Sequence, residues 1–475
     1  MGKNTKYMEY KTIKLHNTKS RTIEEFVPIH EGKIGMYSCG PTVYNYVHLG
    51  NLRGYVVTDI VRRMFEYAGY DVEEIINITD IGHLVTDGDE GEDKMTKALI
   101  REGKSITLES MREVADFYFE QFKENLNSLN ILAPSAYPFA SDNIKEDIDM
   151  VFALLEKGFA YSTSDGIYFE TAKFPQYRDL AKLDMEGLKS GARVSENKEK
   201  RGSTDFAIWK FNSTLGYEAP FGKGFPGWHI ECSAMSKKYL GAHFDIHMGG
   251  IDHIPVHHTN EIAQSECANG EPYVNYWVHY NFLNDKSGKM AKSSGDFLRL
   301  QSIIDAGISP LAYRYYLLTV HYRSEISFSF ESLEAASVSY EKLVRFVQEY
   351  MTTEGVVDQK YTALFEEDLF DDVGTPAVIS TIWKMMKDDT VTDENKVATI
   401  LAIDEVLGLD LENQARKELA KKETVIPEEV QTLLDKRAEA KETKDFVTSD
   451  ALRKEIENLG FTVKDTSNGQ EVSGR

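Results

Sequence analysis

The chain is poor in cysteine: its 475 residues include three, Cys39, Cys232 and Cys267. So odd and sparse a count excludes a disulfide framework and suits a reducing compartment, where thiols hold metal or sit buried. Long apolar runs are missing too. None approaches the roughly 18 residues that cross a bilayer, and the opening MGKNTKYMEYKTIKLHN lacks the apolar core of a secretory signal. These absences predict a soluble, cytoplasmic protein with no membrane partner. Positive charge is scarce as well. The net charge of −23 at pH 7 opposes nonspecific attraction to a polyanion. Residues 416–475 are the exception, with 12 Lys or Arg against 13 Asp or Glu. Any polyanion-facing part is therefore expected in that tail.

What is present is ample apolar content, 41% of the residues, enough to build two to four domains. The run KIGMYSC ends at Gly40-Pro41, a break that no helix tolerates, and so reads as a strand. Next, LRGYVVTDIVRRMFEYAG places Val56, Val57, Ile60, Val61, Met64 and Phe65 at spacings of three and four, with Gly69 as a stop. That spacing predicts an amphipathic helix. A second apolar strand, DVEEIINITD, follows, so residues 34–80 form a β-loop-α-β unit of a parallel sheet. Ligands bind such sheets where strands end and helices begin, and Cys39 and His48 both fall there.

Residues 110–160 read as helical and 161–215 as short strands and turns, an insertion in the sheet domain. From about 309 the chain turns helical, as a bundle. A break at KETVIPEE precedes one more helical pair and a short strand-like end, FTVKD. The acidic, Gly-rich TDGDEGEDKM reads as a solvated loop, since calcium-loop spacing is absent.

Three stretches carry candidate chemistry. His48-Leu49-Gly50-Asn51 sits at a strand-to-helix turn, where backbone N–H groups and the helix dipole favour an anion; a plain helix cap is the alternative. KSGKMAKSSGDFL, residues 286–298, has Lys286, Lys289 and Lys292 among glycines, either a solvated charge run or a cationic clamp for a triphosphate. In residues 227–265, His257 and Glu261 are four apart and share a helix face, with Cys232 upstream. A thiolate, an imidazole and a carboxylate are all zinc donors, though each alone is commonly structural.

Taken in order, these stretches resemble the bacterial cysteinyl-tRNA synthetases, class I aminoacyl-tRNA synthetases, over nearly the whole chain. HLGN looks like the HIGH signature and KMAKS like the KMSKS loop, with Ala291 in place of a serine. CGPTVY, NITD, DFAIWK, GWHIECSAM, NEIAQS and HYR (321–323) match as well. The resemblance implies an α/β fold: a Rossmann-like parallel-sheet catalytic domain with an inserted connective domain, a helical bundle and a small C-terminal anticodon-binding domain. The corresponding boundaries are 1–125 and 226–308 for the catalytic halves, 126–225 for the insertion, 309–415 for the bundle and 416–475 for the tail.

It also implies a ligase that activates L-cysteine with ATP and transfers it to the terminal adenosine of cysteine tRNA. One Zn²⁺ per chain would be held by Cys39, Cys232, His257 and Glu261, with the substrate thiolate as a further ligand, and Mg²⁺ would accompany ATP. His48, Asn51, Lys289 and Lys292 would act on the ATP phosphates. Gly40, Thr79, Trp228 and Asp252 would line the cysteine site, Asp252 facing the ammonium. A monomer is the family's usual form.

Some positions depart from the family pattern. Met248 stands where a glycine is expected, Thr259 where a glutamate is, and Phe446 where a tryptophan is, either to stack on an anticodon base or to pack as the core of the helix pair. Rival readings are the cysteine ligase of mycothiol synthesis, which needs no anticodon domain, and an inactive RNA-binding paralogue, which would not need His48, Asn51, Lys289 and Lys292. The family is also credited with a side activity, pyridoxal phosphate bound at a lysine such as Lys94 or Lys97 to make cysteine persulfide.

Overall fold

A computed structural model describes residues 11–81, 94–182, 198–285, 288–289, 298–422, 427–466 and 469–474. Four parallel strands form the central sheet, in the spatial order Val274–Tyr280, Phe244–Gly250, Lys33–Ser38, Asp71–Ile76. Their near-continuous burial, complete along Phe244–Gly250, suits a sheet covered on both faces. The helix Leu49–Tyr67 joins the last two, and Val56, Val57, Ile60, Val61, Met64 and Phe65 are all buried, as their spacing predicts. Gly69 follows at φ 95°, in the left-handed region that a side chain would disfavour. The β-loop-α-β unit read from residues 34–80 is thus present.

The sequence reading of 110–160 as helical holds only in part. Helices occupy Leu108–Ser128 and Ile144–Glu156. Between them Pro134 and Pro138, which cannot continue a helix, leave the chain extended along the outer strand. There Ile76 N–H donates to Ala136 O at 3.2 Å and Ile78 N–H to Pro138 O at 2.7 Å. Downstream lies a separate antiparallel sheet of Ala160–Ser162, Gly166–Phe169, Phe206–Phe211 and Gly224–Pro226.

Six helices from Pro310–Leu318 to Leu411–Lys422 make up the helical region. It is tied to the sheet domain by the buried Arg314, which donates to Asp59 Oδ2 on the helix Leu49–Tyr67 and to Leu129 O at 2.9 Å. The tail folds as the helices Glu428–Glu442 and Phe446–Asn458 and a hairpin, Phe461–Thr466 with Gly469–Gly474, so the strand-like end is one arm of a pair. Its own small core comprises Val430, Leu434, Ile456 and Val463. Phe446 stays outside that core, 63% exposed. Among the described residues no helix is long and apolar enough to cross a membrane.

Candidate active site and metal centre

All four parallel strands run out at one edge of the sheet, and residues just beyond each line a single cavity of about 470 Å³. Cys39 and Gly40 follow the first strand in sequence, Asn77 and Thr79 the second, Asp252 and His253 the third, and Asn281 to Leu283 the fourth. Strand carboxyl ends are where open α/β sheets bind ligands. Two helix starts complete the wall, with His48, Gly50 and Asn51 from one and Trp228 from the other.

His48 is the N-cap of the Leu49–Tyr67 helix. Asn51 N–H donates to His48 Nδ1 at 3.1 Å, and His48 N–H donates to Asn51 Oδ1 at 3.2 Å. The cap reading of HLGN therefore holds, and it is compatible with an anion at the same turn. With Nδ1 accepting, the neutral ring carries its proton on Nε2 and can donate. Leu49 N–H is tied to Leu298 O at 2.9 Å, where the lysine-rich loop rejoins the described chain. Lys292 and Lys286 lie outside the described residues, as does most of TDGDEGEDKM; Lys289 is placed by its backbone alone, paired with Asn284.

Gly40 has a steric reason to be glycine: a Cβ there would fall 1.4 Å from Asn77 O. Its N–H donates to Asn77 Oδ1 at 2.9 Å. Thr79 exchanges backbone hydrogen bonds with this loop, donating to Pro41 O at 3.1 Å and accepting from Val43 N–H at 3.0 Å. The Trp228 ring lies 4.2 Å from that of His257, and the Lys94 ammonium sits 5.9 Å from the Trp228 ring. Lys94 and Asp252 both line the cavity.

At the cavity floor the donor atoms of Cys39, Cys232, His257 and Glu261 all lie within 4.8 Å of one another, every one of these residues buried. His257 Nδ1 is 2.9 Å from His229 Nδ1, which leaves Nε2 facing Cys232 Sγ at 3.5 Å and Glu261 Oε1 at 3.0 Å. Burial would lower the His257 imidazole pKa, but the Glu261 carboxylate and Cys232 carry it up to about 10. Burial works against Glu261 ionising, yet His247 and His257 hold its carboxyl well below the usual range. The hydrogen bond with Cys39, and then burial, push the Cys232 thiol well up. Glu261 Oε1 has no hydrogen-bond partner in good geometry. Two sulfurs, one imidazole and one carboxylate, enclosed and converging, match the donor set of Zn²⁺.

Sequence reasoning missed the shell around these four. His247 Nε2 contacts Glu261 Oε2 at 2.8 Å, His258 Nε2 lies 3.4 Å from Cys39 Sγ, and His258 Nδ1 contacts His279 Nε2 at 2.7 Å. Cys39, His247, His258 and Glu261 form a second group with donor atoms within 4.8 Å. The available signal was histidine density in HFDIHMGGIDHIPVHH. Met248 and Thr259 do not line the cavity. Met248 is buried beside Ser38 and Val278, and the Thr259 hydroxyl donates to Ile254 O at 2.7 Å.

Residues 25–338 match the family model for the class I (C) tRNA synthetase catalytic domain, and residues 423–472 that for the cysteinyl-tRNA ligase anticodon binding domain. The architecture is shared with Mycobacterium tuberculosis methionyl-tRNA synthetase in complex with methionyl-adenylate, at a TM-score of 0.55 and 15% identity, covering 82% of this chain and 93% of that one. The fold is that of a class I aminoacyl-tRNA synthetase. Among curated relatives, "Cysteine--tRNA ligase 1" of Burkholderia lata is 44% identical over 97% of both chains. The cysteine-tRNA ligase of Treponema denticola is 41% identical over 96% of this chain and 98% of its own. The chain belongs to the cysteine-tRNA ligase family.

Proposed function

We propose that the protein activates L-cysteine with ATP, as its magnesium complex, and transfers the cysteinyl group to the 3′-terminal adenosine of cysteine tRNA. The observation that carries this reading is the convergence of two thiols, an imidazole and a carboxylate at the floor of the cavity whose rim holds the His48-Asn51 cap. Cys39, Cys232, His257 and Glu261 would hold one zinc ion, with His247 orienting Glu261 and His229 orienting His257. Bound there, zinc supplies a preference for a soft thiolate over a hydroxyl, which separates cysteine from serine.

The chain's own residues do the rest. Asp252 offers a carboxylate to the substrate ammonium, and Gly40, Thr79 and Trp228 shape the wall around it. His48 donates from Nε2 to the phosphates as the substrate carboxylate attacks the α-phosphate, and Asn51 fixes the ring that does so. Lys289 and Lys292 add positive charge from the adjoining loop. Their work is positioning and electrostatic stabilisation of the charge that develops. Residues 1–125 and 226–308 would make up the catalytic domain, 126–225 the insertion, 309–415 the bundle and 416–475 the anticodon reader. The tail supports tRNA over a small thiol as acceptor, because the anticodon-domain match lies there. Such an enzyme would work as a monomer in the cytoplasm.

The test is cysteine-dependent ATP–pyrophosphate exchange with serine alongside, followed by charging of cysteine tRNA. Cysteine should support both steps and serine neither. Comparable exchange with serine would overturn the selectivity assigned to the metal centre.

A further inference from the structure

An aromatic and cationic cluster beside the cavity mouth has none of the roles assigned above. Tyr46, Phe117 and Tyr118 meet edge to face. Their ring centroids lie 6.3 Å apart for Tyr46–Phe117, 5.1 Å for Tyr46–Tyr118 and 5.1 Å for Phe117–Tyr118. The Arg299 guanidinium sits 4.5 Å from the Tyr46 ring centroid and that of Arg101 lies 5.7 Å from that of Tyr118. Phe117 is the exposed member, 53% open, on a helix whose other aromatic side chains, Tyr118, Phe119 and Phe122, are buried. Its contacts with Tyr46 and Tyr118 leave about half of this large apolar ring open to solvent.

The cluster is fastened to the reaction site. Arg101 donates to Tyr44 O at 2.8 Å and to the Tyr118 hydroxyl at 2.9 Å, and Tyr44 lines the cavity. Tyr46 precedes His48 by two residues, so their Cα atoms lie within about 7 Å. Leu298 O, which accepts from Leu49 N–H, brings Arg299 to the same turn. On the solvent side Glu102 accepts from Arg101 and from the Tyr118 hydroxyl, which holds that part in place.

We propose that Phe117 and Tyr46, with Arg101 and Arg299, form a stacking platform for the single-stranded 3′ end of the tRNA on its way into the cavity. This rests on the reading of the chain as a tRNA-charging enzyme. Aromatic faces beside guanidinium groups are the means by which proteins bind single strands without reading sequence: bases stack on the rings and phosphates meet the cations. Two arginines at this mouth, on a chain of net charge −23, give a polyanion a local place to approach. A strand whose terminal adenosine enters the cavity has to cross its rim, and this cluster borders that rim through Tyr44, which favours RNA over a protein partner.

The test compares binding of intact cysteine tRNA with that of a transcript lacking its single-stranded 3′ nucleotides, to the full-length protein and to Phe117→Ala, Phe117→Tyr and Arg299→Gln. Phe117→Ala should weaken binding of intact tRNA about 10-fold, the scale of one lost base–aromatic stack, and leave binding of the shortened tRNA and cysteine-dependent exchange unchanged. Phe117→Tyr should bind like the parent. Arg299→Gln should make the slope of log K against log salt shallower by about 0.7 for intact tRNA only. Equal weakening of both tRNAs, or no weakening of either, would overturn the platform. Absence of cysteine-dependent exchange in the unaltered protein would instead overturn the reading beneath it.

Discussion

The His48 ring lies directly over Gly50: a Cβ at position 50 would stand 3.1 Å from both Cε1 and Nδ1 of the imidazole. The glycine leaves room for the ring that Asn51 anchors. Gly50→Ala should push the imidazole by a few tenths of an ångström and lower kcat for pyrophosphate exchange, on the order of 10-fold, since small misplacements in a preorganised site are costly. The melting temperature should hardly change. Wild-type kcat in the alanine variant would show that ring placement does not limit activation.

Cys232→Ala removes one of four converging donors. The purified protein should carry about one zinc per chain, and the variant far less, because losing a thiolate from a four-donor site weakens binding severely. Elemental analysis of both proteins decides it. Stoichiometric zinc retained by the variant would move attention to the second group, Cys39, His247, His258 and Glu261.

Lys289→Ala or Lys292→Ala should lower kcat for exchange by about 10²–10³, the scale for one preorganised charge-stabilising donor. The KM for cysteine should change little. A raised KM with normal kcat would assign these lysines to ground-state binding.

Asp147, on the Ile144–Glu156 helix, is fully buried, and neither of its carboxyl oxygens has a hydrogen-bond partner. Burial pushes its pKa well above the carboxylate range. The folded state therefore holds a proton that the unfolded chain releases above about pH 4. Stability is lost as pH rises through that window, by up to about 1.4 kcal/mol per pH unit. Asp147→Leu should raise the melting temperature, and the gain should grow from pH 4 toward pH 7. Thermal melts across that range would show a flat difference if the carboxyl were satisfied.

The β-loop-α-β unit was legible because apolar spacing and a Gly-Pro break are local signals. His257 and Glu261 were legible as a pair because four residues on a helix bring side chains to one face. Their union with Cys39 was not, since nothing in the spacing says which strand ends stand side by side; only resemblance to a known family supplied it. The extended run at 134–139 was missed although its two prolines announced it, and the imidazoles of His247, His258 and His279 were given no role. The family pattern marked Met248 and Thr259 as departures, and neither lines the cavity.

The converging donors come from the first tenth of the chain and from the stretch around its midpoint. On a ribosome adding about 5–20 residues per second, Cys39 emerges roughly 10–40 s before Glu261 is made. For that interval its sulfur has neither the burial nor the neighbours that shield it in the finished protein. Oxidants meet an accessible thiol more readily than a buried one, so the newborn chain, rather than the mature enzyme, is the form most open to oxidative injury.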